Sequence, residues 1–242
     1  MAQNCKQFAL VVPTLNEGEN IRAMLDRATA ALASVSVPWE IIVVDDQSSD
    51  STAQVVQEYA NGQASVRLVR RSGKRGLAGA ITYGWDQTEA DLIGVMDADL
   101  QHPPELLPQL IREACEDHDI VIASRYVRPH SMDGWNPVRK TLSRLSVFAS
   151  LPVQRRDLKV SDPLSGFFVL RRECIAGIQF QESGFKLLLE ILARARINSV
   201  SELPFEFACR RFGRSKANTM TAVHYFGLLW KLAHGRRTER RQ

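Results

Sequence analysis

The chain has 242 residues, 45% of them hydrophobic and 24% charged, which is ordinary for a globular protein and enough for a sizeable core. Its first apolar run, Phe8–Val12, is too short for a signal-peptide core. No stretch approaches the roughly 18–20 apolar residues that span a bilayer, so neither a signal peptide nor a transmembrane helix is expected. The formal charge of +4 is uneven: residues 128–159 carry +5, residues 210–242 carry +8, and the rest carry −9, which points to an anionic partner for the basic half.

Strands and helices alternate through the first 125 residues. Phe8–Pro13 reads as a buried strand, Glu17–Ala33 as a helix with Asn16 as its cap, and Glu40–Asp45 as a β-branched strand. A helix over Asp50–Ala60, a strand over Val66–Val69 and a helix over Leu77–Thr88 follow. Next come a strand over Asp91–Met96, a helix over Glu105–Glu116 entered through two prolines, and a strand over Asp119–Ala123. The second half is less regular. Helices are expected over Asn136–Leu151, Phe185–Ala195 and Ala217–Ala233, and strands over Leu164–Leu170 and Ser201–Ala208. The stripe Val138, Leu142, Leu145 and Ala149 should be the apolar face of the first of these helices.

This alternation predicts an α/β fold of Rossmann-like type, a three-layer sandwich with a mostly parallel central sheet. Ligands of such sheets bind beyond the carboxyl ends of the strands. The polar clusters Thr14–Glu17, Asp45–Ser49, Asp97–Gln101 and Ser124–Arg125 all follow strands and should gather along that edge. The four cysteines (Cys5, Cys115, Cys174 and Cys209) form no C-x-x-C pair. They are expected to be free or buried thiols in a reducing compartment.

Asp97-Ala98-Asp99 is the most informative chemical feature. Two carboxylates one residue apart, just past an apolar strand, can reach one hard cation such as Mg²⁺ or Mn²⁺. Such a cation neutralises a diphosphate leaving group. Asp46 follows another strand, where a carboxylate can accept hydrogen bonds from a base or ribose. Asp50 or Ser49 is sufficiently explained as the cap of the next helix. Gly73-Lys74-Arg75-Gly76 matches no phosphate-loop pattern and reads as a tight turn. His102 reads as a turn residue.

Val12-Pro13-Thr14-Leu15-Asn16-Glu17, Val43–Thr52, Gly76–Ala80, Met96–Glu105 and Ser124-Arg125-Tyr126 stand in the order of the family 2 glycosyltransferases. Over nearly its whole length the chain resembles that family, and within it the polyprenol (dolichol) phosphate mannose synthases. Asp162–Phe167 and Arg210–Lys216 continue the similarity. The resemblance implies a GT-A catalytic domain over residues 1–216, peripheral amphipathic helices, and an amphipathic helix with a basic tail over residues 217–242. It implies that Pro13, Leu15, Glu17, Val44 and Asp46 hold the nucleoside of a nucleotide-sugar donor, with Ala98 near the donor. It implies that Asp97, Asp99 and Gln101 bind Mg²⁺ or Mn²⁺. Arg125, Arg210 and Lys216 would contact phosphates of donor and acceptor. The expected reaction is inverting transfer of mannose from GDP-mannose to a polyprenyl (dolichyl) phosphate.

The chain departs from the family in three places. Leu15 stands where the synthases usually have Tyr, and Arg214 replaces an acidic residue. The loop at Arg128-Pro129-His130 lacks a glycine pair. These keep open a UDP-sugar donor, such as that of a polyprenyl-phosphate glucosyltransferase, or a saccharide acceptor. The helices over Asn136–Leu151 and Ala217–Ala233 have apolar faces flanked by Arg and Lys. They are expected to lie against an anionic membrane surface on the cytoplasmic side, with room for a separate membrane-anchor protein. A haloacid-dehalogenase-type hydrolase would place its Asp pair on the first strand, and no nucleic-acid-binding motif accompanies the basic segments, so no nucleic-acid partner is expected.

Overall fold

A computed structural model describes residues 5–73, 75–127, 137–155, 157–158, 160–180, 186–206, 227–229 and 232. They form a sheet of seven strands with helices on both faces. In chain order these are β1 (Phe8–Thr14), α1 (Ile21–Leu32), β2 (Trp39–Asp45), α2 (Thr52–Gly62), β3 (Val66–Arg70), α3 (Leu77–Trp85), β4 (Leu92–Val95), α4 (Leu107–Glu116) and β5 (Ile120–Ser124). There follow α5 (Pro137–Ser150), β6 (Phe168–Arg171), α6 (Leu187–Arg194) and β7 (Val200–Pro204). The sheet order is β3-β2-β1-β4-β6-β5-β7. Only β6 runs against its neighbours β4 and β5; the other pairings are parallel.

The unbroken apolar runs of β1 and β2 follow from burial on both faces. Phe8, Leu10, Val12, Ile41 and Val43 point into one core cluster with α1 and α4. Ala9, Val11, Ile42 and Val44 point into the other, with α3 and α6. The alternation has the two-residue period of a strand, so each strand serves both layers. Helix α3 lies close on the sheet through Gly84, where a Cβ would stand 2.6 Å from Val11 Cγ1 and 2.8 Å from Val44 Cγ2. A third, smaller cluster joins α5 and α6 through Val153, Leu164 and Leu189 to Leu228 and Leu232.

Several boundaries differ from the sequence reading. Helix α1 begins at Ile21, and its N-cap is Asn20, not Asn16. Residues 15–19 are instead drawn into the sheet edge by bonds described below. The strand expected over Leu164–Leu170 is shortened to β6, because Ser165 turns back to donate to the Ala123 carbonyl at 2.7 Å. Cys5 and Cys115 are paired as a disulfide, which corrects the expectation of free thiols: 110 residues separate them, and only the packing of α4 beside the N-terminal segment brings them together. Cys174 is free and buried, and Cys209 lies outside the described residues.

Of the apolar stripe expected on α5, Ala149 packs inward with Val147, whereas Leu145 is 57% exposed, as is the neighbouring Phe148 at 71%; the side chains of Val138 and Leu142 lie outside the described residues. Most of the helix expected over Ala217–Ala233 lies outside the described residues. Among the described residues, no helix is long and apolar enough to cross a membrane.

Candidate active site

Strands β1, β2, β4 and β5 end at one edge, and the polar clusters gather there as the connection rules require. The direction of the connections changes between β1 and β4, and the Asp97–Asp99 segment follows β4 at that switch. Among the described residues, three non-glycine residues have positive φ: Asn16 (55°), Gln47 (65°) and Leu100 (61°). They follow β1, β2 and β4 respectively. For a bulky side chain such as Leu100 this conformation costs about 1–2 kcal/mol, and such strain concentrates at functional sites.

The loops behind β1 and β2 lock each other. The N–H of Asn16 donates to Ser48 Oγ at 2.9 Å, and the Ser49 N–H donates to Asn16 Oδ1 at 2.8 Å. The Glu17 N–H donates to Thr52 Oγ1 at 2.9 Å, and the Gly18 N–H to Asp50 Oδ2 at 3.0 Å. Burial opposes the Asp50 charge, but the Thr52 hydroxyl and the N–H groups of Thr52 and Gly18 outweigh it and hold Asp50 below the usual carboxylate range. Pro13 and Val44 are register partners, both buried within the sheet. The Glu17 carboxylate is buried and accepts from Asn20 Nδ2 at 2.9 Å. Leu15 is half-buried at the strand end.

Asp46 follows β2 on this edge. It accepts from the Gly76 N–H at 2.8 Å and from Arg71 Nη1 at 3.1 Å, both partners of a buried ion pair being inaccessible to bulk water. The glycine-containing turn before α3 is thereby tied to β2, in keeping with its reading as a tight turn. Arg71 was not singled out from the sequence, because an arginine after an edge strand carries no pattern of its own.

In the next loop, Asp97 is the more accessible carboxylate, with its side chain 38% exposed, whereas Asp99 and Ala98 are buried. The Gln101 N–H donates to Asp99 Oδ1 at 3.1 Å, closing the turn whose pivot is Leu100. His102 stands at a bend, as expected of a turn residue, and is buried there against the rings of Phe167 and Phe205, at centroid distances of 5.4 and 5.6 Å. Its Nδ1 accepts the Asp97 N–H at 3.4 Å, which assigns the remaining proton to Nε2. Burial lowers His102 to about 4, with Asp99 pulling it up and Arg125 pushing it down. Gly166 lies under this turn, and a Cβ there would stand 3.1 Å from Asp97 Oδ2 and 3.4 Å from His102 Cε1. That close approach is the reason for a glycine in the segment Asp162–Phe167.

Across the cleft, Arg125 follows β5. Its Nε and Nη2 each donate to the fully buried Asp162 at 2.7 Å, and its N–H adds a third bond at 3.1 Å. Burial opposes the Arg125 charge, but the Asp162 bonds outweigh it and raise its pKa. The N–H groups of Ser161 and Asp162 donate to Glu202 on β7, so the acceptor of the arginine is itself held. Asp162 entered the sequence reading only as part of a motif, since its role depends on a partner 37 residues away. Arg210 and Lys216 lie outside the described residues.

Among the described residues, no three His, Cys, Asp or Glu side chains converge as a metal cage. Asp97, Asp99 and the amide of Gln101 offer oxygen ligands, a chemistry that suits a divalent cation completing its shell with phosphate oxygens and water.

The family description "Glycosyl transferase family 2" matches residues 9–178 of this chain. The chain belongs to glycosyl transferase family 2. This family 2 chain is 37% identical over 226 residues to the dolichol-phosphate mannosyltransferase of Pyrococcus furiosus, covering 93% of itself but 63% of that relative. It is 30% identical over 236 residues to the dolichol-phosphate mannosyltransferase of Saccharomyces cerevisiae, covering 93% of itself and 86% of that protein. The fold matches that of glucosyl-3-phosphoglycerate synthase from Mycobacterium tuberculosis, whose crystal structure contains Mn²⁺, UDP-glucose and phosphoglyceric acid. The TM-score is 0.70 at 20% identity, over 95% of this chain and 80% of that one. The seven-stranded, mostly parallel sheet is therefore the GT-A sheet of a glycosyltransferase.

Proposed function

We propose that this family 2 transferase moves mannose from GDP-mannose to a polyprenyl phosphate, with inversion at the anomeric carbon. The observation that carries the reading is the facing arrangement of the Asp97–Asp99 carboxylates and the Arg125–Asp162 pair at the carboxyl edge of the sheet. Similarity to two dolichol-phosphate mannosyltransferases supports the acceptor class.

On this reading Pro13, Leu15, Glu17, Val44 and Asp46 line the nucleoside end, and Asp97, Ala98, Asp99 and Gln101 the diphosphate end. A divalent cation, Mg²⁺ or Mn²⁺, held by Asp97, Asp99 and Gln101 would neutralise the diphosphate as it leaves. Val44 contributes backbone only, because its side chain is committed to the core. Arg125, Arg210 and Lys216 position phosphates. The acceptor phosphate needs no strong base: with a second pKa of about 6 it is already ionised at neutral pH. His102 is unsuited to that task, since its Nδ1 is occupied by the Asp97 N–H and burial keeps it neutral. An acceptor P–O⁻ oxygen forms the new bond to the anomeric carbon while the nucleoside diphosphate leaves with the old bonding pair.

Leu145 and Phe148 on α5 and Leu151 just after it, with the exposed Arg144, supply an apolar surface with a basic neighbour. We assign it to an anionic membrane on the cytoplasmic side, where the lipid acceptor resides, with residues 217–242 as a second contact and a separate anchor protein as a further partner. Leu15 in place of a tyrosine favours one alternative, a UDP-sugar donor.

The test is transfer of labelled mannose from GDP-mannose to polyprenyl phosphate in liposomes with Mg²⁺ or Mn²⁺. A metal-dependent, lipid-extractable product is expected. Binding of UDP but not GDP, with no product from GDP-mannose, would move the donor to a UDP-sugar.

A further inference from the structure

Tyr126 follows Arg125 just past β5 and entered the sequence reading only as part of a motif. Its ring lies against the neighbouring guanidinium: Arg125 Cζ stands over it, 5.8 Å from the ring centroid, within the range of a cation–π contact. The Tyr126 hydroxyl lies 2.6 Å from Ser143 Oγ on α5, 17 residues further along the chain. Tyr126 and Ser143 are both half-buried.

Arg125 is thereby held from two directions. Asp162, fully buried, takes its Nε and Nη2 at 2.7 Å each, and the Tyr126 ring bounds the guanidinium on another side. The second restraint is only as firm as the ring, and a tyrosine ring beyond a strand end can turn about its side-chain torsions unless its far end is anchored. Ser143 supplies that anchor. It belongs to the inward side of α5: Val147, one turn on, packs with Val153 and Leu189, and Ser150 is fully buried. Arg144, Leu145 and Phe148 lie on the exposed side. Residues three and four apart share a helix face, so one side of α5 meets the arginine through Tyr126 while the other carries the apolar surface assigned to the membrane.

We propose that Tyr126 is a positioning residue: its ring sets the Arg125 guanidinium for the acceptor phosphate, and its hydroxyl ties that setting to α5 through Ser143. The arginine makes the phosphate contact, and Tyr126 acts through it. The inference rests on the reading that Arg125 contacts the phosphate of a lipid acceptor.

The experiment measures kcat and the KM for polyprenyl phosphate and for the donor in the liposome assay, for Tyr126→Phe, Ser143→Ala and the double variant. Tyr126→Phe keeps the ring and loses only the hydroxyl. Loss of one neutral hydrogen bond should raise the acceptor KM about 3- to 10-fold in either single variant and leave the donor KM unchanged. The double variant should be no worse than either single one, because both remove the same bond. Ser143→Thr, which keeps a hydroxyl, should stay near the wild type, and Tyr126→Leu, which removes the ring as well, should lose more than Tyr126→Phe. A bond that merely supports the fold would lower the urea midpoints of Tyr126→Phe and Ser143→Ala without moving the acceptor KM. That result, losses that add in the double variant, or equal losses for donor and acceptor would overturn the assignment while leaving the proposed function intact. A wild-type chain that binds its nucleotide but does not transfer to polyprenyl phosphate would remove both.

Discussion

The loops behind β1, β2 and β5 and the outer surface of α5 place polar and apolar groups side by side in opposite ways. In the loops, polar groups are buried and satisfied: Asp46 by Gly76 and Arg71, Glu17 by Asn20, and Asp162 by Arg125. On α5, apolar groups are exposed beside Arg144. The first region resists deformation because each carboxylate has fixed donors, which a site for charge transfer needs. On the proposed function, the chain thus has a rigid edge for chemistry and a separate face for membrane contact, and substitutions should divide along that line.

The largest effect is expected at the rigid edge. Asp99→Ala should lower transfer at least about ten-thousandfold while the circular dichroism spectrum stays unchanged, since the cation's charge stabilisation is lost. Activity surviving in that variant under a chelator would sink the metal assignment. Next comes Asp162→Ala, which leaves Arg125 without its buried partner. It should destabilise the fold by about 3–5 kcal/mol in urea unfolding. A loss below about 1 kcal/mol would mean that the pair is dispensable to folding.

A smaller effect should follow from pH. His102 is held near 4, below its ordinary 6.5, so the unfolded chain takes up the proton first. Its contribution is complete above about pH 6.5, falls as the pH drops, and levels off below about 4; at most about 3 kcal/mol is involved. Urea midpoints for wild type and His102→Asn should converge across that window, and parallel curves would exclude His102 as the group. The smallest effect on stability belongs to the docking face. Phe148→Asp should change unfolding free energy by less than about 0.5 kcal/mol yet weaken binding to anionic vesicles about tenfold. Equal vesicle binding would detach α5 from the membrane.

The gathering of the candidate residues was legible before the structure. Glu17, Asp46, Asp97, Asp99 and Arg125 follow strands of a βα alternation, Pro13 lies near the end of β1, and parallel connections bring such positions to one edge. Helix α1 started late because Glu17 and Gly18 bond to the loop of β2, a contact between segments about 35 residues apart. On α5 the pattern named an apolar face, but helical periodicity does not say whether a neighbour covers it: Ala149 packs inward and Leu145 is exposed.

The sequence by itself determined the alternating layers, the position of the carboxylate pair and the family. These depend on period, strand ends and local motif order, all of which lie within short windows. Only the tertiary structure decided the rest: His102 buried beneath Asp97, Asp162 holding Arg125, and Cys5 joined to Cys115. Each of these is a meeting of side chains or backbone that depends on which elements stack and how closely. Local propensity carries no record of such a meeting, because the energy that selects it appears only when distant elements exclude water together.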